Sequence, residues 1–299
     1  MAQTFSLTPN LAQPPAGFDT VRTGISHGTV QAVQLNSTID GGVYRMNVYL
    51  PPGYVSNKAY PVMYLLHGAS GNSNTWVNDI FAPTIMDNLY ADGKVAPTIL
   101  VMPSRLTDAA YALTPTAQNA NFERILIRDM IPYVETNYSA STNRVDRTLA
   151  GLSLGGGQAM DIGLGRSDIF SNIGAFSGAN TRKIDGDSTV DVSSPGRNLN
   201  LFWVSTGNID NVTGPGLVAA DQTLTAEPIS HAFYISAGAH EPIVWESDLY
   251  YFSQAVQPLP EPCVVVVVIG GLLVLYCSYR SKHRTATTAG DSQFTTNNH

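Results

Sequence analysis

Short continuous apolar runs alternate with stretches of helical periodicity along most of this chain. Runs such as 61–66, 97–102 and 201–205 are typical of strands buried on both faces of a parallel sheet. Between them, segments such as 78–92 and 121–138 place apolar residues at helical spacing. The pattern predicts an α/β protein, with a mostly parallel central sheet and helices on both faces.

The beginning of the chain follows two other patterns. Residues 28–50 alternate apolar and polar positions on either side of Asp40-Gly41-Gly42, which predicts a β-hairpin. Residues 1–27 contain several prolines and little periodicity, and we expect an extended arm. No basic region followed by an apolar one is visible there. Either the chain is not exported, or a signal peptide has been removed.

Proline marks the end of the periodic region. We expect a catalytic domain over 28–257, a proline-rich linker over 258–262, an apolar segment over 263–279 and a basic, then polar, tail over 280–299. With 299 residues, of which 43% are hydrophobic, the chain is long enough for one sizeable domain with a large core.

Charge and cysteine content exclude several classes of function. The net charge of −7 leaves no basic face for nucleic acid. The two cysteines, Cys263 and Cys277, both lie in the apolar segment. The domain before them therefore has no disulfide, no thiol nucleophile and no zinc-ligand cluster. We expect no metal and no cofactor.

The pentapeptide Gly151-Leu152-Ser153-Leu154-Gly155 is the strongest chemical signal. A short apolar run precedes it, and a small-residue segment that can begin a helix follows. This order is that of a nucleophile elbow, in which a sharp turn between strand and helix projects the serine. Ser153 is the predicted nucleophile.

A serine hydroxyl needs a base to accept its proton and a carboxylate to orient that base. His240 follows the last predicted strand in a glycine-containing loop, whereas His231 precedes that strand. We therefore predict His240 as the base. Asp210, just after the strand at 201–205, is the favoured acid. Four other carboxylates are alternatives: Asp185, Asp187, Asp191 and Asp221.

The oxyanion of a tetrahedral intermediate needs two backbone N–H donors. We predict the amide of Leu154, which follows the nucleophile, and that of Ala69, in the loop after the strand 61–66. We interpret His67 in that loop as structural, because one base suffices. Trp76 and Trp245 either line an acyl pocket or belong to the core.

Four stretches resemble one family. The run RDMIPYVETNYSASTNRVDRTLAGLSLGGGQA is similar to esterase D-like α/β-hydrolases, in particular the family-one carbohydrate esterases, which include feruloyl and acetylxylan esterases. YPVMYLLHGASGNSNTW resembles their oxyanion-loop region, STGNID their acid loop and GAHEPIVW their histidine loop.

The resemblance spans roughly residues 28–256 and implies the α/β-hydrolase fold. It also implies Ser153, Asp210 and His240 as the triad, with Leu154 and Ala69 as oxyanion donors. Many members have a tryptophan two residues after the histidine, where this chain has Pro242. Its acid loop is also longer and richer in glycine. Both differences concern the acyl pocket, and therefore the choice of substrate.

The segment Cys263–Tyr279 carries no charge and is at the lower limit of length for a bilayer span. Basic residues follow it, as on the cytoplasmic side of a membrane. Pro-Glu-Pro, an apolar span and basic residues resemble the bacterial sorting signal read by exosortases. That resemblance implies an exported enzyme; a tail-anchored enzyme and a buried valine strand are the alternatives.

We therefore predict an exported serine esterase that removes feruloyl or acetyl groups from plant cell-wall polysaccharide such as xylan. Its partner would be an esterified polysaccharide or a small aryl or acyl ester, with membrane anchoring or sorting through 263–279. A thioesterase of the S-formylglutathione hydrolase type, or an acyltransferase, is the alternative on the same fold. A non-catalytic surface protein is the third hypothesis.

Overall fold

The computed structural model describes residues 6–105, 121–178, 199–226 and 229–257, and the backbone of 262–269 and 272–279. Two compact units divide the chain, Met1–Pro258 and Leu259–His299. The alternative acids Asp185, Asp187 and Asp191 lie outside the described residues.

The first unit is built on a sheet of eight strands, as far as the chain is described. These strands are β1 Thr29–Asn36, β2 Val43–Leu50, β3 Val62–Leu66, β4 Ile99–Pro103, β5 Arg147–Leu152, β6 Asn172–Phe176, β7 Leu201–Gly207 and β8 Ala232–Ser236. Their spatial order is β1-β2-β4-β3-β5-β6-β7-β8. The strand β2 is antiparallel to both neighbours, and the pairs from β4 to β8 are parallel. The mostly parallel sheet is confirmed.

Helices follow most of the parallel strands. Their bounds are α1 Ala82–Ala91, α2 Ile131–Asn137, α3 Leu154–Gly165, α4 Gly214–Ala226 and α5 Pro242–Val256. Successive side chains of β3 enter different core clusters: Met63 and Leu65 pack with residues of α1 and α5, whereas Tyr64 packs with residues of α2. Because strand side chains alternate between faces, this partition shows that the sheet is covered on both sides.

Two predicted helices differ in detail from the sequence pattern. The helix expected over 78–92 is interrupted, because Phe81 adopts a left-handed backbone (φ 51°) between a π-helical turn, Thr75–Asp79, and α1. The helix expected over 121–138 contains a second π-helical turn, Leu126–Met130, directly before α2. Pro132 in the first turn of α2 has no N–H to donate, and the wider turn accommodates that loss.

The N-terminal arm is irregular where it is described, and it is bound to the domain. The side-chain amide of Asn88 in α1 donates to the carbonyls of Phe18 and Thr20, both at 2.9 Å. The Phe18 ring packs edge-on against Tyr250 of α5. Buried Asn88 thus contributes both of its donors to holding the arm.

The second unit contains two antiparallel strands, β9 Pro262–Ile269 and β10 Leu272–Tyr279, paired from Leu272 opposite Ile269. We expected one uninterrupted apolar span here, and the structure differs. Valine-rich sequence favours strands, which is the physical reason for the difference. Within the described residues, no helix is both long and apolar enough to cross a membrane.

Candidate active site

Ser153 occupies a strained turn between β5 and α3. Its backbone angles are φ 53° and ψ −122°, a region that a residue with a Cβ rarely adopts. Its amide donates to the carbonyl of Phe176 at 2.8 Å, which ties the turn to the end of β6. The strained turn lifts the hydroxyl above the carboxyl ends of the parallel strands.

The two glycines of the pentapeptide allow the turn to pack closely. A Cβ on Gly151 would lie 2.4 Å from the carbonyl oxygen of Gly155, and one on Gly155 would lie 2.4 Å from that of Leu66. Both contacts are with backbone atoms, which cannot move aside as a flexible side chain could. The Gly-x-Ser-x-Gly spacing is therefore a steric requirement of this turn.

A continuous line of hydrogen bonds joins the three predicted triad residues. The Nε2 atom of His240 is 2.9 Å from the Ser153 hydroxyl, and its Nδ1 atom is 2.9 Å from Oδ2 of Asp210. Nδ1–H donates to the carboxylate, which leaves Nε2 free to accept from the hydroxyl. The edge of Trp245 packs against the ring of His240, with 5.1 Å between ring centroids.

Asp210 is fully buried and accepts several hydrogen bonds. Its Oδ1 accepts from the amides of Val212 and Thr213 at 2.9 Å each, and its Oδ2 also accepts from the Thr213 hydroxyl at 2.8 Å. Burial alone would raise the pKa of Asp210, but the hydrogen bonds from His240 and Thr213 outweigh it and lower that pKa below its usual value. The carboxylate therefore remains charged.

The two predicted oxyanion donors are the backbone amides of Leu154, which follows Ser153 directly, and of Ala69, which lies far earlier in the chain. Leu154 is the first residue of α3, so its amide has no acceptor within the helix and lies at the positive end of the helix dipole. Ala69 is exposed in the loop after β3. A Cβ on Gly68, its neighbour, would lie 3.4 Å from the Cβ of Ser153, so this loop passes directly beside the nucleophile.

His67 has a clear structural environment. Its Nδ1–H donates to the carbonyl of Gly68 at 2.7 Å, and its Nε2 accepts from the amide of Arg105 at 3.1 Å. Burial lowers the pKa of His67 to about 4 despite the bond to Gly68, and the charge of Arg105 lowers it further. A neutral His67 thus connects the loop that contains Ala69 with the residues that follow β4.

The competing residues lie elsewhere. His231 and Asp221 pair with each other, with 3.0 Å between Nε2 and Oδ1. Trp76 is fully buried and packs edge-on against Phe176 in the core, whereas Trp245 packs against the ring of His240. The described residues contain no group of three or more His, Cys, Asp or Glu side chains that could hold a metal ion.

Sequence reasoning missed Thr213. The side chain of Asp210 accepts from amides two and three residues ahead, just before α4 begins at Gly214. This is the hydrogen bonding of a carboxylate that caps a turn. An Asp-x-x-Thr sequence before a predicted helix was the available signal, and it would have separated Asp210 from the other candidate acids.

Fold and loop arrangement are those of the α/β-hydrolases. A ferulic acid esterase from Anaeromyces mucronatus, solved with ferulic acid bound, has a TM-score of 0.71 and 25% identity, and the match covers 83% of this chain and 97% of that one. An S-formylglutathione hydrolase from Staphylococcus aureus has a TM-score of 0.60 at 21% identity, covering 79% and 99% of the two chains.

Residues 37–247 match the family model Esterase, described as “Putative esterase”, and the chain belongs to this family. An endo-1,4-beta-xylanase/feruloyl esterase from Xylanibacter ruminicola is 33% identical over 245 residues, which cover 80% of this chain and 32% of that protein. The chain thus spans about a third of that relative's length. By family and fold, the domain is a serine carboxylic-ester hydrolase.

Proposed function

We propose that residues 28–257 form a catalytic domain that removes feruloyl or acetyl groups from xylan-type polysaccharide, with Ser153, His240 and Asp210 as its triad. The observation that carries this proposal is the hydrogen-bonded line from Asp210 through His240 to Ser153, with 2.9 Å at each step. A serine on a strained elbow and a buried, charged carboxylate are what acyl transfer through serine requires.

The mechanism follows from the atoms in this line. His240 Nε2 accepts the Ser153 proton as Oγ attacks the ester carbonyl, and Asp210 stabilises the resulting imidazolium. The amides of Leu154 and Ala69 donate to the oxyanion. Collapse of the tetrahedral intermediate breaks the ester bond, and His240 protonates the departing sugar oxygen. Water, deprotonated by His240, then releases the acyl group from Ser153.

The substrate class is supported by similarity and by one structural detail. The similar Xylanibacter protein is named a xylanase and feruloyl esterase, and the similar Anaeromyces structure contains ferulic acid. Trp245, half-buried beside His240, gives the site an aromatic side chain against which a planar aryl group can pack.

Export fits a substrate that lies outside the cell. We propose that the protein is exported, that it acts on an esterified polysaccharide or a small aryl ester as its partner molecule, and that 258–299 serve in sorting. The Pro-Glu-Pro sequence before the apolar segment and the basic residues after it support this role.

A thioesterase is the second candidate, since a structure with this fold is an S-formylglutathione hydrolase. One panel separates the two: methyl ferulate, acetylated xylan and S-formylglutathione, each measured as kcat/KM with the full chain. We expect methyl ferulate or acetylated xylan to exceed the thioester by at least about 100-fold, or about 3 kcal/mol in the transition state. Preference for S-formylglutathione would contradict the proposed substrate.

A further inference from the structure

Asn208 joins the two loops that carry the acid and the base. Its side-chain Oδ1 accepts from the backbone N–H of Gly238 at 2.8 Å, and its backbone N–H donates to the carbonyl of Ser236 at 2.8 Å. The amide of Ile209 donates to the carbonyl of Gly238 at 3.0 Å. These three bonds involve residues one or two positions before Asp210 on one side and two or four positions before His240 on the other.

The same two loops are packed backbone against backbone. A Cβ on Gly207 would lie 2.5 Å from the carbonyl oxygens of both Gly238 and Ala239. Gly238 itself has φ +136°, which favours glycine. No side chain separates the loops, so the hydrogen bonds of Asn208 act directly on the spacing between them.

The N-terminal arm contacts Asn208 from the opposite side. The amide of Leu7 donates to the carbonyl of Asn208 at 2.8 Å, and the Asn208 side-chain nitrogen donates to the carbonyl of Leu7 at 3.4 Å. Every polar group of Asn208 is therefore hydrogen-bonded. Its backbone N–H and side-chain oxygen bond to Ser236 and Gly238, and its backbone carbonyl and side-chain nitrogen bond to Leu7 of the arm.

Asn10 anchors the arm along β8, the last strand of the sheet. Its side-chain oxygen accepts from the amide of Ile235 at 2.6 Å, and its side-chain nitrogen donates to the carbonyl of Phe233 at 3.1 Å. Its own amide donates to the carbonyl of Ile235 at 3.0 Å. Asn10 thus satisfies edge groups that a further strand would otherwise pair.

We propose that Asn208 is a positioning residue for the triad, and that arm residues 7–10, but not the rest of the arm, hold Asn208 in place. The inference rests on the proposed Ser-His-Asp function. The described hydrogen bonds of Asn208 go to the histidine-loop side and the arm, so Asn208 acts through the 2.9 Å contact between Asp210 and His240. Misplacing such a pair by about 1 Å is enough to lower turnover by as much as 100-fold.

Asn208→Ala in the full chain tests the first half of the proposal. We expect kcat to fall about 10- to 100-fold while KM changes less than about twofold, because the substrate contacts remain. Asn10→Ala, which leaves Asn208 itself intact, tests the second half, with an expected fall of about 3- to 10-fold. It also keeps the proposal testable should Asn208→Ala not fold.

Asn88→Ala is the matched control. Asn88 also holds the arm by two side-chain hydrogen bonds, but to Phe18 and Thr20, and none of its described bonds reaches the acid or histidine loop. This variant should lower the melting temperature and leave kcat unchanged. If all three variants lower kcat in proportion to their loss of stability, the arm is a structural support and the proposal is wrong.

A proton NMR readout separates this inference from the proposed function. The low-field resonance of the His240 Nδ1 proton reports the bond to Asp210 without any turnover. We expect Asn208→Ala to shift or broaden it and Asn88→Ala to leave it unchanged. If the wild-type protein hydrolysed no ester but the His240 resonance still changed in Asn208→Ala, the proposed function would be wrong and the positioning role of Asn208 would stand. An unchanged resonance and unchanged kcat in Asn208→Ala would overturn the positioning role.

Discussion

The two halves of the proposed triad are built in different ways. The nucleophile half is local, because Gly151, Ser153 and Gly155 lie within one pentapeptide and the steric limits around them arise from adjacent backbone. The acid–base half is assembled from remote segments, the loops after β7 and β8 and the arm. The turn at Ser153 can be predicted from a short sequence motif. The pairing of Asp210 with His240 depends on contacts between distant segments, which no short motif contains.

Ser153→Ala should have the largest effect, since it removes the group that forms the acyl-enzyme. We expect kcat to fall by about 10⁴–10⁶ with an unchanged melting temperature, measured on methyl ferulate and on the unfolding curve. Activity above a tenth of the wild-type value would show that the elbow does not carry the nucleophile.

Asp210→Asn tests the assembled half. It removes the charge that stabilises the imidazolium and the acceptor that selects the His240 tautomer, so we expect kcat to fall by about 10³–10⁴. Asp221→Asn is the matched control, because Asp221 also pairs with a histidine, His231. That control should keep nearly full activity, and an exchange of the two results would assign the acid to Asp221.

The next prediction concerns the pH dependence of stability. Asp248 lies in α5 and accepts a hydrogen bond from Ser236, the last residue of the strand before the histidine loop. Full burial raises the pKa of Asp248 to about 7, although the hydrogen bond from Ser236 and the nearby Ser205 hydroxyl act in the opposite direction. A carboxyl whose pKa is raised in the folded state stabilises it most below the unfolded pKa, near 4, and that contribution is lost as the pH rises through about 7. The melting temperature should therefore fall between pH 5 and about pH 8.

Asp248→Asn should flatten this fall, because the amide resembles the protonated acid and does not titrate. Part of the slope should remain, since burial and nearby Asp19 raise the pKa of Glu246 to about 7 as well. Asp168→Asn, at an exposed carboxylate whose pKa is lowered by Arg166, serves as the control. A slope that Asp248→Asn leaves unchanged would mean that this carboxyl does not titrate as described.

Deletion of 258–299 should have the smallest effect on catalysis. Both halves of the triad and all strands of the eight-stranded sheet lie within the unit Met1–Pro258. We expect kcat/KM to stay within about twofold and solubility to rise. An insoluble truncated protein beside a soluble, monomeric full-length one would show that the apolar segment is part of the folded core.

Much of the fold could be predicted from sequence, because buried parallel strands and the elbow have strong local patterns. Residues 201–205 and 61–66 were recognisable as strands, and Asp210 and Ala69 lie in the loops that follow them. The interruption at Phe81, the bonds of Asn10 to β8 and the role of Thr213 depend on tertiary contacts or on a single backbone angle. The pairing of the valine run into two strands was not predicted, because length and apolar character alone do not distinguish a span from a hairpin.

Labelling with a fluorophosphonate probe, followed by peptide mass spectrometry, tests the central claim most directly. We expect one adduct, on Ser153, formed rapidly in the wild-type chain, slowly in Asp210→Asn and not at all in Ser153→Ala, because the probe reacts only with an activated hydroxyl. Labelling of another residue at the wild-type rate, or equal rates in wild type and Asp210→Asn, would contradict the assignment of Ser153, His240 and Asp210 as one catalytic unit.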